Sequence, residues 1–370
     1  MQRTLAIVER EMRRFRRSPM LIVMSMVFPL LQLVVLGYAF GGNVKHLKLA
    51  VVDLDHGVPA VRLREFANAV SSGTRTLDLY DYADQGEAMA DLRNGLVNGV
   101  LTVPPDFSRR TLAKNAPRVA LISDNTDTFV SATLAATVNG IVGAMNTPIK
   151  VERVAPAPML DVVEVYPYVP YIQYLLPGSI TMSIFMMVMI GGGIIFIDDK
   201  ARGLHEGYLV TPITKLELVA GFNISGTIKA VLAGAVITVL GSLIAGVPNP
   251  LDPLRTLRMM LVIGVTAFAL VSLMFLLMVR MTDPLMPRAM FGLLNTVLYF
   301  PSGAVYPQQG FPAWMQVIAA VDPFTYAVHA FKSLLLKNTG FDAIASDLLY
   351  LVAFSAIAMT AATVLFKRTL

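Results

Sequence analysis

The membrane organisation of this chain is set by six long apolar stretches without a charged side chain. They run from Pro19 to Val44, Val165 to Ile197, Ala230 to Leu251, Met259 to Val279, Ala289 to Val321 and Leu348 to Phe366. A helix needs roughly 20 apolar residues to cross a bilayer. The stretches therefore predict six spans, near 20–40, 175–197, 228–247, 259–279, 288–305 and 347–366. The fifth stretch is interrupted by Pro301, Pro307 and Pro312. Non-helical backbone at membrane depth must be buried in protein or line water, so the part beyond 305 predicts short re-entrant helices, near 311–320 and 324–336, rather than another crossing.

Residues 45–170 follow a different pattern. Short apolar runs at Leu47–Asp53, Thr76–Tyr82, Val97–Val103 and Arg118–Ser123 read as strands. Helical periodicity lies between and after them, at Val58–Val70, Asp84–Asn94, Pro105–Lys114 and Thr126 to about Thr147. Alternating strands and helices imply a layered α/β domain. The predicted fold is a membrane all-α bundle of six helices with an inserted α/β domain: residues 1–44 form an amphipathic segment and the first span, 45–170 the insertion, and 171–370 the remaining spans.

Composition fits lipid as the main solvent. Of 370 residues, 55% are hydrophobic and 15% charged, against roughly a quarter charged in soluble domains; mean hydropathy is +0.62. The isoelectric point near 9.3 does not indicate nucleic acid, because the basic residues flank apolar runs. Arg13, Arg14, Arg16 and Arg17 precede span one, Lys200 and Arg202 follow span two, Arg280 and Arg288 bracket the loop after span four, and Lys367 and Arg368 follow span six. The positive-inside rule then predicts cytoplasmic termini and an extracytoplasmic 45–170, although Arg255, Arg258, Lys332 and Lys337 fall outside. Lys229, at the cytoplasmic edge of span three, reads as a snorkelling cation. Span one is longer than a signal-peptide core and lacks a small-x-small site, so it reads as retained. Residues 1–17, with Leu5, Ile7, Val8, Met12 and Phe15 among the arginines, read as an anchoring flank or an amphipathic helix on the inner leaflet. The chain has no cysteine, which removes disulfides and thiolate chemistry.

Few residues suggest catalysis. Asp53, Asp55 and His56 sit together after a predicted strand, where turn and cap roles are the commoner use. The nearest approach to a phosphate-binding loop, G-x-x-x-x-G-K-[ST], is Gly221 to Gly226, followed by Thr227 where the lysine is required. These glycines read as a helix-packing pair. If the protein pumps with ATP, another subunit supplies the hydrolysis.

The loop after span two reads D-D-K-A-R-G-L-H-E-G-Y-L-V-T-P over residues 198–212. It resembles the loop of the ABC-2 exporter permeases, acidic-x-E-x-G-T-x-E-x-L-x-x-T-P, through Gly203, Glu206, Leu209, Thr211 and Pro212; Leu204 and Ala201 depart from it. Other landmarks are similar to the family in order and spacing. They are Arg17-Ser-Pro before span one, Phe28-Pro-Leu-Leu-Gln32 and Gly37-Tyr-Ala-Phe within it, Pro177-Gly178 in span two, Pro301-Ser-Gly303 with Tyr306-Pro307 near the end of span five, and Asp322-Pro-Phe-Thr-Tyr326, where the family more often has Asn first.

The resemblance implies the membrane subunit of an ATP-binding-cassette exporter of the bacterial inner membrane. It implies a cytoplasmic coupling loop at 198–217 pressed into a separate ATPase, which holds the ATP and magnesium; no cofactor or metal is expected in this chain. A second permease copy, identical or paralogous, completes a path, for which Gln32, Asn295, Tyr299 and Ser302 are the candidates. An outer gate falls in 306–340 and its approach, with Pro301, Gly303, Pro323 and Tyr326, and Trp314 is a further interfacial anchor. A hydrophobic or amphipathic cargo suits a path with so few charges. Further partners would be a periplasmic adaptor and an outer-membrane conduit. The rival reading is a membrane-anchored receptor or envelope assembly factor whose 45–170 domain binds a ligand without transport. An intramembrane enzyme is disfavoured for lack of a catalytic constellation.

Overall fold

The computed structural model describes residues 2–41, 45–73, 75–124, 126–146, 169–194, 211, 213–279, 281, 283 and 286–365. They form two compact units, Met1–Gly41 with Glu164–Leu370, and Gly42–Val163. The chain opens with α1 (Gln2–Arg16) and α2 (Pro19–Gly41), which belong to the larger unit.

The smaller unit runs β1 (Leu47–Asp53), α3 (Val58–Gly73), β2 (Leu77–Tyr82), α4 (Gln85–Arg93), β3 (Gly99–Val103), α5 (Phe107–Leu112), β4 (Ala120–Ser123) and α6 (Thr128–Asn146). Its sheet has the order β2-β1-β3-β4, with β1 parallel to β2 and β3, and β4 antiparallel to β3. Alternate residues of β1 serve opposite faces: Leu49 and Val51 pack with Leu63 and Leu134 of α3 and α6, whereas Ala50 and Val52 pack with Ala88 and Leu92 of α4. Burial on both faces is why β1 reads as an almost unbroken apolar run. The third strand starts two residues later than its sequence suggests. Asn98 takes the place of a ladder residue, its backbone N–H donating to Lys48 O at 2.7 Å and its side-chain oxygen accepting from Lys48 N at 2.9 Å.

The larger unit is helical: α7 (Tyr171–Val188) prolonged by π turns over Met189–Ile194, α8 (Lys215–Ile244), α9 (Pro253–Met278), α10 (Met286–Leu294) prolonged by π turns over Asn295–Tyr299, α11 (Ala313–Val321), α12 (Pro323–Leu336) and α13 (Ala345–Leu365). Among the described residues five helices are long and apolar enough to cross a membrane: Ile22–Phe40, Tyr171–Gly193, Lys215–Ile244, Pro253–Met278 and Ala345–Leu365. Helix α7 is the axis of the unit, buried continuously from Leu175 to Val188. It packs against α2, α8, α9 and α12. Helices α2 and α13 leave many apolar side chains exposed, among them Leu31, Val35, Leu349 and Ile357, as a surface bathed in lipid does.

The stretch 288–305 does not form a sixth helix of that length. Helix α10 and its π turns cover 286–299, a rise of about 21 Å at 1.5 Å per residue, short of a roughly 30 Å hydrocarbon core. The helix stops because Pro301 cannot donate a backbone hydrogen bond and Gly303 turns the chain with φ +82°. Beyond it, α11 and α12 are the two short helices that the prolines imply.

Candidate functional site

The larger unit carries two polar constructions, near opposite ends of α7. Tyr174 belongs to one and Gly191 to the other, about 25 Å apart along the helix.

At the first end, the structure joins two candidate path residues directly. Gln32 of α2 donates from Nε2 to Tyr299 Oη at 3.1 Å, and Tyr299 is 2% exposed. Ser302 is buried; its hydroxyl donates to Tyr299 O at 2.6 Å and accepts from Ala304 N at 3.3 Å. Asn295 lies four residues before Tyr299 in the π-turn segment. Gln32 Oε1 and Asn295 Oδ1 are buried without a hydrogen-bond partner among the described residues. An orphaned buried acceptor costs about 1–3 kcal/mol, so this segment is short of donors.

The gate candidates stand beside it. Gly178 of α7 approaches the turn so closely that a Cβ there would lie 2.7 Å from the Ala304 Cβ. Gly303 O accepts from Tyr174 Oη at 3.3 Å and from Lys332 Nζ at 2.6 Å, while Pro301 O accepts from Gln308 Nε2 at 3.4 Å. Pro323 opens α12, where its missing N–H is harmless, and Asp322 caps that helix by accepting from Phe324 N at 2.9 Å. Burial pushes the Asp322 carboxyl well above the usual carboxylate range. Its second oxygen, Oδ2, is buried without a hydrogen-bond partner among the described residues. Tyr326 stacks on Tyr350 of α13 with ring centres 3.7 Å apart and donates to Ala320 O at 2.8 Å. Trp314 is largely exposed. Helix α12 therefore ties the turn after Tyr299 to α7 and α13.

At the other end, the expectation for Lys229 is overturned. Its ammonium does not reach out to water. It is 1% exposed and donates to Glu11 Oε2 at 2.9 Å and to Gly191 O at 3.1 Å, above the Phe15 ring. Glu11 is 2% exposed and shares the buried face of α1 with Ile7 and Phe15. Helix α1 runs along α8: a Cβ on Gly221 would meet the Ile7 Cβ at 2.9 Å, and Arg3 lies 3.9 Å from Glu217. The second glycine, Gly226, receives Val271 of α9 in the same way. Sequence reasoning missed the ion pair, although Glu11 falls at i+4 from Ile7 and i−4 from Phe15 on one helical stripe.

Of the coupling-loop candidates, Gly203, Glu206, Leu209 and Pro212 lie outside the described residues; Thr211 is described, half-buried in a turn. The helix that follows is fixed at its start by a capping box, in which Thr214 Oγ1 accepts from Glu217 N at 3.2 Å and Glu217 Oε2 accepts from Thr214 N at 2.9 Å. The preceding helix runs on into the π turns at Met189–Ile194, which Lys229 grips through Gly191.

In the smaller unit, the acidic cluster serves the turn. Asp53 accepts from the backbone of Asp55 and His56, and Asp55 from Gly57 N and from both the backbone N–H and hydroxyl of Ser108. Hydrogen bonding from Ser108, foremost from its hydroxyl, holds the Asp55 carboxyl below its ordinary range. Among the described residues no group of three or more acidic or histidine side chains could hold a metal.

Comparison with known proteins places this architecture. The model of the ABC-2 family transporter proteins matches residues 19–364. The chain is 21% identical over 368 residues to the "Probable multidrug ABC transporter permease YbhR" of Escherichia coli (strain K12), covering 98% of this chain and 97% of that one. It is 24% identical over 366 residues to the "Probable multidrug ABC transporter permease YbhS" of the same organism, covering 95% and 93%. It is 26% identical over 174 residues to the "Daunorubicin resistance ABC transporter permease protein DrrB1" of Streptomyces coeruleorubidus, covering 46% and 60%. The family model runs from the first apolar helix almost to the end of the last, and this multi-pass membrane chain belongs to the ABC-2 family of transporter permeases.

Proposed function

We propose that this chain is the permease subunit of an ATP-driven exporter that moves a hydrophobic or amphipathic compound, drug-like or lipid, out of the cytoplasm. The observation that carries the reading is the family match over residues 19–364, and relatives named as multidrug permeases support a drug-like cargo. In this reading residues 288–305 serve as the fifth of six spans, the termini are cytoplasmic, and residues 45–170 are extracytoplasmic. Two copies, identical or paralogous, form the path between them. A cytoplasmic ATPase binds ATP and magnesium and presses on loop 198–217, where Glu206 faces basic groups and Pro212 ends the short helix. An envelope adaptor and outer conduit join on the far side.

The physics of the loop's two ends supports this use. A loop transmits rigid-body motion only if the elements it joins resist local deformation. The capping box fixes the start of α8, and the Glu11–Lys229–Gly191 linkage fixes the end of α7. A push on the loop then displaces α7 as a body. That motion reaches the turn after Tyr299 through the close contact of Gly178 with Ala304. The neutral, donor-poor stretch around Gln32 and Asn295 suits a cargo that brings its own hydrogen-bond donors.

The test is co-purification from native membranes. The chain is expected to bring down a subunit with a phosphate-binding loop, and Glu206→Arg is expected to abolish both that association and transport. Transport at the wild-type rate by Glu206→Arg overturns the coupling role; isolation without any ATPase while function persists overturns the whole reading.

A further inference from the structure

Two buried or half-buried lysines in the helical unit meet opposite surroundings. Lys229 has a carboxylate, Glu11, at 2.9 Å. Lys332 has none: its ammonium donates to Gly303 O at 2.6 Å and stands 3.7 Å from the centre of the Tyr174 ring, and among the described residues no carboxylate lies within ion-pair distance of it. A carbonyl and a ring face offer partial negative charge only. Withdrawing an ammonium from water without a counter-charge is unfavourable, and here burial alone lowers Lys332 to about 8.

The ammonium borders a cavity of about 350 Å³, which Gln308, Thr325, Tyr326 and His329 also line. That volume lies at the small end of ligand pockets. His329 precedes Lys332 by one turn, so both reach the same face of α12. Its Nδ1 lies 2.7 Å from Asp347 Oδ2 of α13, and that bond raises the imidazole above its ordinary value. Asp347 is thus engaged by His329, and the remaining charged neighbour, Lys337 at the end of α12, is also positive. The wall carries more positive charge than negative. Tyr174 and Asp347 sit within a turn of the starts of α7 and α13. These are spanning helices, so the cavity stands at the level of lipid headgroups.

We propose that this cavity is an anion site, in which Lys332 and His329 hold a tetrahedral oxyanion: the phosphodiester of an anionic phospholipid headgroup, or a free ion of the same chemistry. The bound anion supplies the counter-charge that Lys332 lacks. Because it favours the protonated ammonium, affinity is full below pH about 8 and falls as pH rises through that value, with deprotonation of His329 adding to the loss.

The full chain, purified in uncharged detergent, is titrated calorimetrically with dihexanoyl phosphatidylglycerol, dihexanoyl phosphatidylcholine and sodium sulfate, at about pH 7 and about pH 9.5. None of these probes changes charge between the two conditions. Saturable binding of phosphatidylglycerol is expected, weaker by about tenfold or more in Lys332→Met and kept in Lys332→Arg. It is also expected to weaken by about tenfold in the wild type at the higher pH, and less so in Lys332→Arg. Saturable sulfate binding with the same dependences, without lipid binding, assigns the site to a free ion. Three outcomes overturn the proposal: no saturable binding of either anion, equal binding of the zwitterionic lipid, or wild-type binding by Lys332→Met. Should Lys332→Met fail to fold, the pH arm on the wild type decides, and pH-independent binding overturns it.

Discussion

The Glu11–Lys229 pair allows a quantitative test of how the helical unit is held together. Substituting Glu11 by Gln keeps the shape and one acceptor oxygen but removes the charge facing an ammonium that is 1% exposed. Breaking a buried ion pair from one side costs about 3–5 kcal/mol, since the survivor is left uncompensated. Lys229 keeps its bond to Gly191 O and its place over Phe15, so Glu11→Gln is expected near the lower bound, about 3 kcal/mol. Replacing both residues, Glu11→Leu with Lys229→Met, removes the charge and its partner together and is expected to return to within about 1.5 kcal/mol of the wild type. The assay is unfolding of the purified chain in mixed micelles of increasing dodecyl sulfate content, followed by helical circular dichroism. The reasoning is refuted if Glu11→Gln unfolds with the wild type, or if the double variant is as unstable as the two single losses added.

Tyr299→Phe deletes the hydroxyl that accepts from Gln32 and should cost about 0.5–1.5 kcal/mol in the same assay, the range for hydrogen bonds between membrane helices; an unchanged midpoint shows that the bond contributes nothing. The His329–Asp347 pair gives a pH signature. Its bond raises the histidine above the ordinary value, so the stabilisation is full below pH about 6.5 and is lost as pH rises through the raised value. Melting temperature should therefore decline across that window in the wild type. Asp347→Asn should flatten the decline, and a parallel slope in that variant shows that another group titrates.

The apolar lengths in the sequence determined which segments can cross a bilayer, because the need for roughly 20 apolar residues is local and leaves a direct trace. Strand β1 and the two short helices after Tyr299 were legible for similar reasons: a doubly buried strand is apolar throughout, and proline marks where a helix must stop. The family landmarks were legible because their order survives along the chain. The length of the segment ending at Tyr299 was not, since absence of charge does not reveal where a π turn and Gly303 divert the backbone. Nor could sequence pair Glu11 with Lys229, 218 positions apart, or set Gln32 against Tyr299. Those partnerships depend on which helix faces come together when α7 is buried, and only that packing decided that Lys229 is neutralised within the protein while Lys332 is left facing a cavity.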